Sequence, residues 1–161
     1  MKTINELTEK IGINHLNEMQ GTVVKAIQHT TDNIMVLSPT GSGKTLAYIL
    51  PLVCMVDTAS DDLQAIVIVP GRELALQSLN VLRSLGNDVR GYACYGGRPT
   101  MDEHRQLRQL KPHIIFATPG RMNDHIDKDN VDVDSVKWII IDEFDKCLEM
   151  GFHEEMSYLI N

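Results

Sequence analysis

A lysine and a hydroxyl close the run Ser38-Pro39-Thr40-Gly41-Ser42-Gly43-Lys44-Thr45, in which two glycines stand just ahead of them. Gly41 and Gly43 permit a tight turn whose successive amide N–H groups point at one anion. A helix starting at the lysine adds its partial positive charge, so the run suits phosphate. Lys44 can reach the outer phosphates of a nucleotide, and the Thr45 hydroxyl can ligate Mg²⁺. The strict spacing pattern asks for glycine at position 38, where this chain has serine. A plain glycine-rich turn before a helix is therefore the competing reading.

A second chemical run lies far downstream, where Trp138-Ile139-Ile140-Ile141 leads directly into Asp142-Glu143-Phe144-Asp145. A carboxylate at the end of a buried strand costs free energy unless a cation or hydrogen bonds receive it. Beside a phosphate loop the receiver is Mg²⁺, held by Asp142 usually through water. Glu143 then stands where it can orient or polarise an attacking water. The alternative is a solvated acidic helix start, since Asp and Glu favour a first helical turn.

These residues need elements to position them. Ile34–Leu37, Ala65–Val69, Val89–Tyr95, Ile114–Ala117 and Trp138–Ile141 are short runs rich in Val and Ile, the pattern of strands buried on both faces. Amphipathic stretches alternate with them: Thr45–Val56, Glu73–Leu85, Met101–Leu110 and Arg121–Ile126. Two further helices precede the first strand, Asn5–Ile11 and Glu18–His29, the second with Asn17 as N-cap. Alternating strand and helix predicts an α/β fold, a parallel sheet with helices on both faces. Ligands of such sheets bind outside the carboxyl ends of the strands, where the motifs fall.

Composition narrows the class. The chain has 161 residues, room for one domain of ordinary size, with the 43% apolar and 23% charged content of a folded protein. Its longest apolar stretch, Ala47–Val56, is interrupted by Pro51 and is too short to span a bilayer. No basic-then-apolar leader opens the chain, so the expected location is cytoplasmic, with no membrane partner. Cys54, Cys94 and Cys147 are odd in number and sit in apolar runs, which predicts reduced core residues. No histidine pair has ligand spacing, and no metal site held by protein side chains alone is expected. A net charge of −7 excludes nucleic-acid binding through a wide basic face. Any such binding must use local amides and a few arginines.

Taken together, the motifs resemble those of the DEAD-box helicase family. Pro70-Gly71-Arg72-Glu73-Leu74-Ala75 is similar to its motif Ia, and Thr118-Pro119-Gly120-Arg121 to its motif Ib. Gly96-Gly97 matches the paired glycine between them, and Asp142-Glu143-Phe144-Asp145 the namesake motif, followed by Met150-Gly151-Phe152. Gln20 stands where the family's adenine-reading glutamine stands. Three departures are visible: Phe144 for alanine, Gly71 for threonine, and Leu16-Asn17 for Pro-Thr.

The resemblance implies a RecA-like domain using ATP and Mg²⁺. Gln20 would pair with the adenine edge and Ile13 would pack on the base. Ser38, Pro39, Thr40, Gly41, Ser42, Gly43, Lys44 and Thr45 would hold the phosphates. Lys44, Asp142 and Glu143 would be catalytic, with Thr45 and Asp142 serving Mg²⁺ and Asp145 coupling nucleotide state to neighbouring motifs. Arg72, Gly97, Thr118, Gly120 and Arg121 would hold the RNA backbone, with a surface salt bridge as the alternative for either arginine. Residues 1–161 are thus expected to be one ATP-binding domain of a monomeric RNA helicase, with an adenine-recognition segment at about 4–28. Neither the family's Ser-Ala-Thr motif nor its second RecA-like domain follows before Asn161. Hydrolysis by this chain alone is therefore expected to be slow, since an arginine finger contributes on the order of 10³–10⁵ in related enzymes. A nucleotide-gated RNA clamp and a DNA-directed helicase are the alternatives.

Overall fold

The computed structural model describes residues 3–30, 34–36, 43–86, 88–143 and 146. Ser38, Pro39, Thr40, Gly41, Ser42, Phe144, Asp145, Cys147 and Met150–Phe152 lie outside the described residues. The chain divides into two compact units, one of residues 1–57 with 80–88, the other of 58–79 with 89–161.

The first unit is helical. Helix α1 (Ile4–Lys10) starts at Thr3, whose hydroxyl accepts from the Glu6 N–H while the Glu6 carboxylate accepts from the Thr3 N–H. Helix α2 (Glu18–His29) starts at the expected Asn17 in the same way, with Gln20 closing the reciprocal pair. Each box satisfies two amides that the first helical turn leaves without a partner, which fixes where the helix begins. Helix α3 (Lys44–Met55) is buried from Leu46 to Cys54 and packs against α2 and α1. That burial explains a run too apolar to be an exposed helix.

The second unit is built on four parallel strands: β1 (Ala65–Ile68), β2 (Gly91–Cys94), β3 (Ile114–Ala117) and β4 (Trp138–Ile141). Their order is β2-β3-β1-β4. Helices α4 (Arg72–Ser84), α5 (Thr100–Leu110) and α6 (Pro119–Asp127) follow β1, β2 and β3 in turn. The register is flush, with Ile68 opposite Ala117 and Ile141, and Ala117 opposite Cys94. All four strands therefore end in one row, and the residues just beyond that row emerge along one rim. One face of the sheet is packed by Ile66, Ile68, Cys94, Ile115 and Ala117 under Leu107 and Met122. Ala65, Val67 and Phe116, which alternate with these, are also fully buried. Burial on both faces is what the continuous Val and Ile runs predict for inner strands. At the β4 edge, Ile139 is half-exposed.

Strand β1 ends one residue early, at Ile68, and two further strand expectations change more. Ile34–Val36 form no strand and are exposed, Met35 at 81%; Leu37 lies outside the described residues. Apolar, branched side chains suit a strand, but only a pairing partner makes one. The Val89–Tyr95 run shortens to Gly91–Cys94 because both ends give their amides elsewhere. Arg90 N–H donates to His113 Nδ1 at 2.9 Å, and Tyr95 N–H donates to the Glu103 carboxylate at 3.0 Å.

Phe116 is wholly buried in the inner strand β3, so its removal tests this packing. Phe116→Ala is expected to cost about 3–5 kcal/mol, read as a lower urea midpoint at unchanged slope.

Candidate functional site

In the first unit, the sequence-predicted adenine and phosphate segments meet through one side chain. The buried Gln20 donates from Nε2 to the Gly43 carbonyl at 3.2 Å, while its Oε1 accepts from the Asn17 N–H at 3.0 Å. Gly43 has a left-handed φ of 86°, and a Cβ there would collide with Gln20 Nε2. The positive φ favours glycine at this position, and a Cβ would displace the Gln20 amide. Lys44 and Thr45 occupy the first turn of α3, half-buried, and no side-chain cap on Gly43 takes up the helix's first amides. A helix start of this kind, with a lysine and a hydroxyl beside it, fits phosphate and its counter-ion. Ile13 is half-buried in the turn between α1 and α2.

In the second unit, the rim beyond the flush strands carries most of the remaining candidates. Asp142 follows β4, its N–H still donating to the Ile68 carbonyl at 2.9 Å and its side chain buried. Glu143, the next residue, has a φ of 55°, a left-handed conformation that costs a side-chain-bearing residue roughly 1–2 kcal/mol. Its carboxylate lies 3.6 Å from Lys146 Nζ and is 10% exposed. Arg72, Tyr95 and Gly96 line an open hollow of about 560 Å³ together with Thr118, Gly120, Arg121 and Asp124. Gly97, at φ 90°, belongs to the same turn as Gly96. Space around both of these glycines and around Gly120 is open. The structure thus gathers Arg72, Thr118, Gly120 and Arg121 about one hollow, with Gly97 adjoining. Arg72 is exposed and has no ion-pair partner among the described residues.

Arg121 is engaged inward. Nη1 donates to Thr100 Oγ1 at 3.1 Å and Glu103 Oε1 at 3.2 Å, and Nη2 donates to the Arg98 carbonyl at 2.9 Å. Of the two alternatives for this arginine, a salt bridge is therefore present, but to a buried carboxylate rather than a surface one. Glu103 gathers three more donors: Tyr95 N–H, Arg98 Nη2 at 2.7 Å and His125 Nε2 at 2.8 Å. His125 Nδ1 accepts from Asn130 Nδ2 at 2.9 Å, which places the ring proton on Nε2, facing Glu103. The Arg98 guanidinium also stacks 4.0 Å from the Tyr95 ring centroid. Burial alone would push the Glu103 carboxyl up. The hydrogen bonds from His125, Tyr95 and Arg98, with the Arg121 charge, outweigh that and hold it below its ordinary range.

Cys94, Glu103 and His125 bring possible ligand atoms within 4.8 Å of one another, donor types that zinc accepts. Two guanidinium groups already hold that carboxylate, and burial drives the Cys94 thiol far up, against the thiolate a metal needs. This cluster is an ion-pair core. Cys54 and Cys94 are buried and in no disulfide, in line with the reduced core residues that the sequence predicts.

Sequence reasoning passed over Tyr95, Arg98, Glu103, Asp124 and His125. Glu103 carried a readable signal: it stands four residues before Leu107 on the one buried face of α5. An acidic residue on the apolar side of a helix needs cationic company.

A flush parallel sheet with its functional loops on one rim, and a Gly-Lys-Thr start to a helix, define a RecA-like α/β domain. The DEAD/DEAH box helicase family model matches residues 17–161, and the chain belongs to that family. It is 45% identical over 125 residues to the ATP-dependent RNA helicase CshA of Limosilactobacillus reuteri, covering 75% of this chain and 24% of that protein. To the DEAD-box ATP-dependent RNA helicase CshA of Bacillus cereus it is 40% identical over 157 residues, 94% of this chain and 29% of the relative. Among solved structures, a DEAD box protein from Methanococcus jannaschii is similar with a TM-score of 0.92 at 29% identity, covering 100% of this chain and 44% of that one. A hypothetical ATP-dependent RNA helicase from Sulfolobus tokodaii gives 0.85 at 30% identity, covering 97% and 45%. The chain therefore spans less than a third of the length of these curated relatives. Among the described residues no helix is long and apolar enough to cross a membrane.

A depressed carboxyl contributes stability above its ordinary value of 4.5, and that stability is lost as pH falls through the lower folded value. Glu103→Gln is expected to lose about 3–5 kcal/mol at neutral pH, the cost of breaking a buried pair. Thermal melts at a series of pH values should also show less acid sensitivity in this variant below pH 4.5.

Proposed function

We propose that this chain is the ATP-binding part of a cytoplasmic, monomeric RNA helicase, which with a second RecA-like domain couples ATP hydrolysis to local strand separation. The observation that carries it is the start of α3, where left-handed Gly43 leads into Lys44 and Thr45 with no side-chain cap. Residues 1–161 act as one domain in this reading, with recognition of adenine in residues 4–28.

The Gln20 amide supports the adenine assignment by what it has left. One N–H goes to Gly43 and one lone pair to Asn17, so the amide keeps one further N–H and one further lone pair. An adenine edge, with its amino donor and ring acceptor, takes that pair bidentately. Ile13 packs on the base, and the loop from Ser38 to Thr45 holds the phosphates. Bound Mg²⁺–ATP supplies the transferable phosphoryl group and the charge neutralisation that lowers its barrier. The Thr45 hydroxyl and the buried Asp142 carboxylate are hard oxygen donors of the kind this ion takes. Lys44 balances phosphate charge, and Glu143, held in a left-handed conformation, orients the attacking water. Asp145 couples nucleotide state to the neighbouring motifs.

For RNA, the hollow offers uncapped amides at the start of α6, open glycine surfaces at Gly97 and Gly120, the Thr118 hydroxyl and the exposed Arg72. Such groups hold a sugar-phosphate backbone without reading bases. They also fit a chain of net charge −7, which has no wide basic face to use.

Thermal unfolding with Mg²⁺–ADP or Mg²⁺–GDP tests the nucleotide reading. At about a hundred times the dissociation constant, a ligand adds roughly 2.7 kcal/mol, or roughly 5–11 °C for a domain of this size. A rise with ADP alone, lost in Lys44→Ala and Gln20→Ala, is expected. A rise with both nucleotides would discard the role of Gln20, and no rise with either would overturn the proposal.

A further inference from the structure

Two arginines face the same hollow and are not equivalent. Arg72 is exposed, without an ion-pair partner among the described residues. The Arg121 side chain is only 13% exposed, and both of its terminal nitrogens donate to protein oxygens. Its charge stands 3.2 Å from the Glu103 carboxylate, itself 1% exposed. An arginine grips phosphate strongly when its terminal fork is available for two parallel bonds. The outer fork of Arg121 already serves Thr100, Glu103 and the Arg98 carbonyl.

Tyr95 and Gly96 on one side and Thr118, Gly120 and Arg121 on the other line the hollow. The partners of Arg121 lie on the first of these segments and on α5, which follows it. Arg98 closes the turn that holds Gly96 and Gly97, Thr100 and Glu103 stand in the first turn of α5, and Arg121 in the first turn of α6. Glu103 joins the same walls a second time, through Tyr95 N–H on one side and His125 on the other.

We infer that Glu103 is the positioning residue of this surface, and that Arg121 acts as a strut between its walls rather than as a phosphate grip. The inference rests on the hollow being the RNA-backbone site. Arg72 then supplies the ionic attraction, while Glu103 and Arg121 fix the distance between the glycine turn and the start of α6. A compact ammonium at position 121 keeps the charge but cannot span three oxygens in a plane.

Affinity of this chain for a fluorescein-labelled oligouridylate, measured by anisotropy over a series of salt concentrations, separates the roles. Each cation lost from a single-strand contact lowers the salt slope by about 0.7. Arg72→Ala should show that change. Arg121→Lys and Glu103→Gln should each weaken binding by about 5–30-fold with the salt slope kept. Their double variant should be no weaker than the weaker single one, because both break one unit. Should Glu103→Gln fail to fold, Thr100→Val removes a single strut contact and should act in the same direction. Near wild-type binding by Arg121→Lys, or an Arg121→Ala slope loss equal to that of Arg72→Ala, overturns the inference. So does tighter binding by Glu103→Gln. Nitrogen-15 spectra of the arginine side chains without RNA give a separate readout. Arg121 terminal N–H signals should be resolved and slow to exchange, and they should lose that protection in Thr100→Val and Glu103→Gln. Absence of RNA binding by the wild-type chain would count against the RNA reading of the hollow, while these spectra still decide the strut.

Discussion

An ionised carboxylate almost wholly removed from water must be met by donors on every open side. Glu103 meets that condition with a backbone amide, two guanidinium groups and an imidazole. The donors come from two stretches of chain, the turn after β2 and helix α6, and the carboxylate on α5 ties both to a third. Its tolerance for displacement is small, because each lost donor leaves buried charge less compensated. Leu107 and Met122 anchor α5 and α6 on the core, and the charge pairing of Glu103 ties the starts of those helices to the turn after β2.

Below the rim the constraint is apolar. Inner strands buried on both faces leave one register that keeps every Val and Ile covered. That register is flush, so Val69, Tyr95, Thr118 and Asp142 all step off the sheet at one level. Core packing sets the height of the rim, and the Glu103 network sets the spacing of two loops upon it. Function enters where these two forces meet.

Much of this was legible in the residues. Asn17 marked the start of α2, and uninterrupted branched residues marked β3 and β4 without error in their bounds. Lys44, Arg72, Thr118 and Gly120 were reachable from motif spacing, because each sits where a strand or turn passes into a helix. What stayed hidden depended on distant partners. Ile34–Val36 have the composition of a strand, but composition cannot say whether a neighbour will pair with them. Glu103 sits in Asp102-Glu103-His104-Arg105, a charged run that masks its one local signal, the spacing to Leu107. Its partner Arg121 is 18 residues away and His125 is 22, separations that carry no local signal. Arg121 was named as a candidate for the same reason that its inward contacts were missed: the motif names the residue and not its contacts.

In the proposed function the rim hollow receives the backbone of RNA. Photocrosslinking tests it most directly, with 4-thiouridine in a single-stranded RNA, Mg²⁺ and a non-hydrolysable ATP analogue, followed by peptide mapping. Adducts are expected on the peptides that carry Tyr95–Gly97 and Thr118–Arg121. Adducts confined to peptides away from that rim would contradict it.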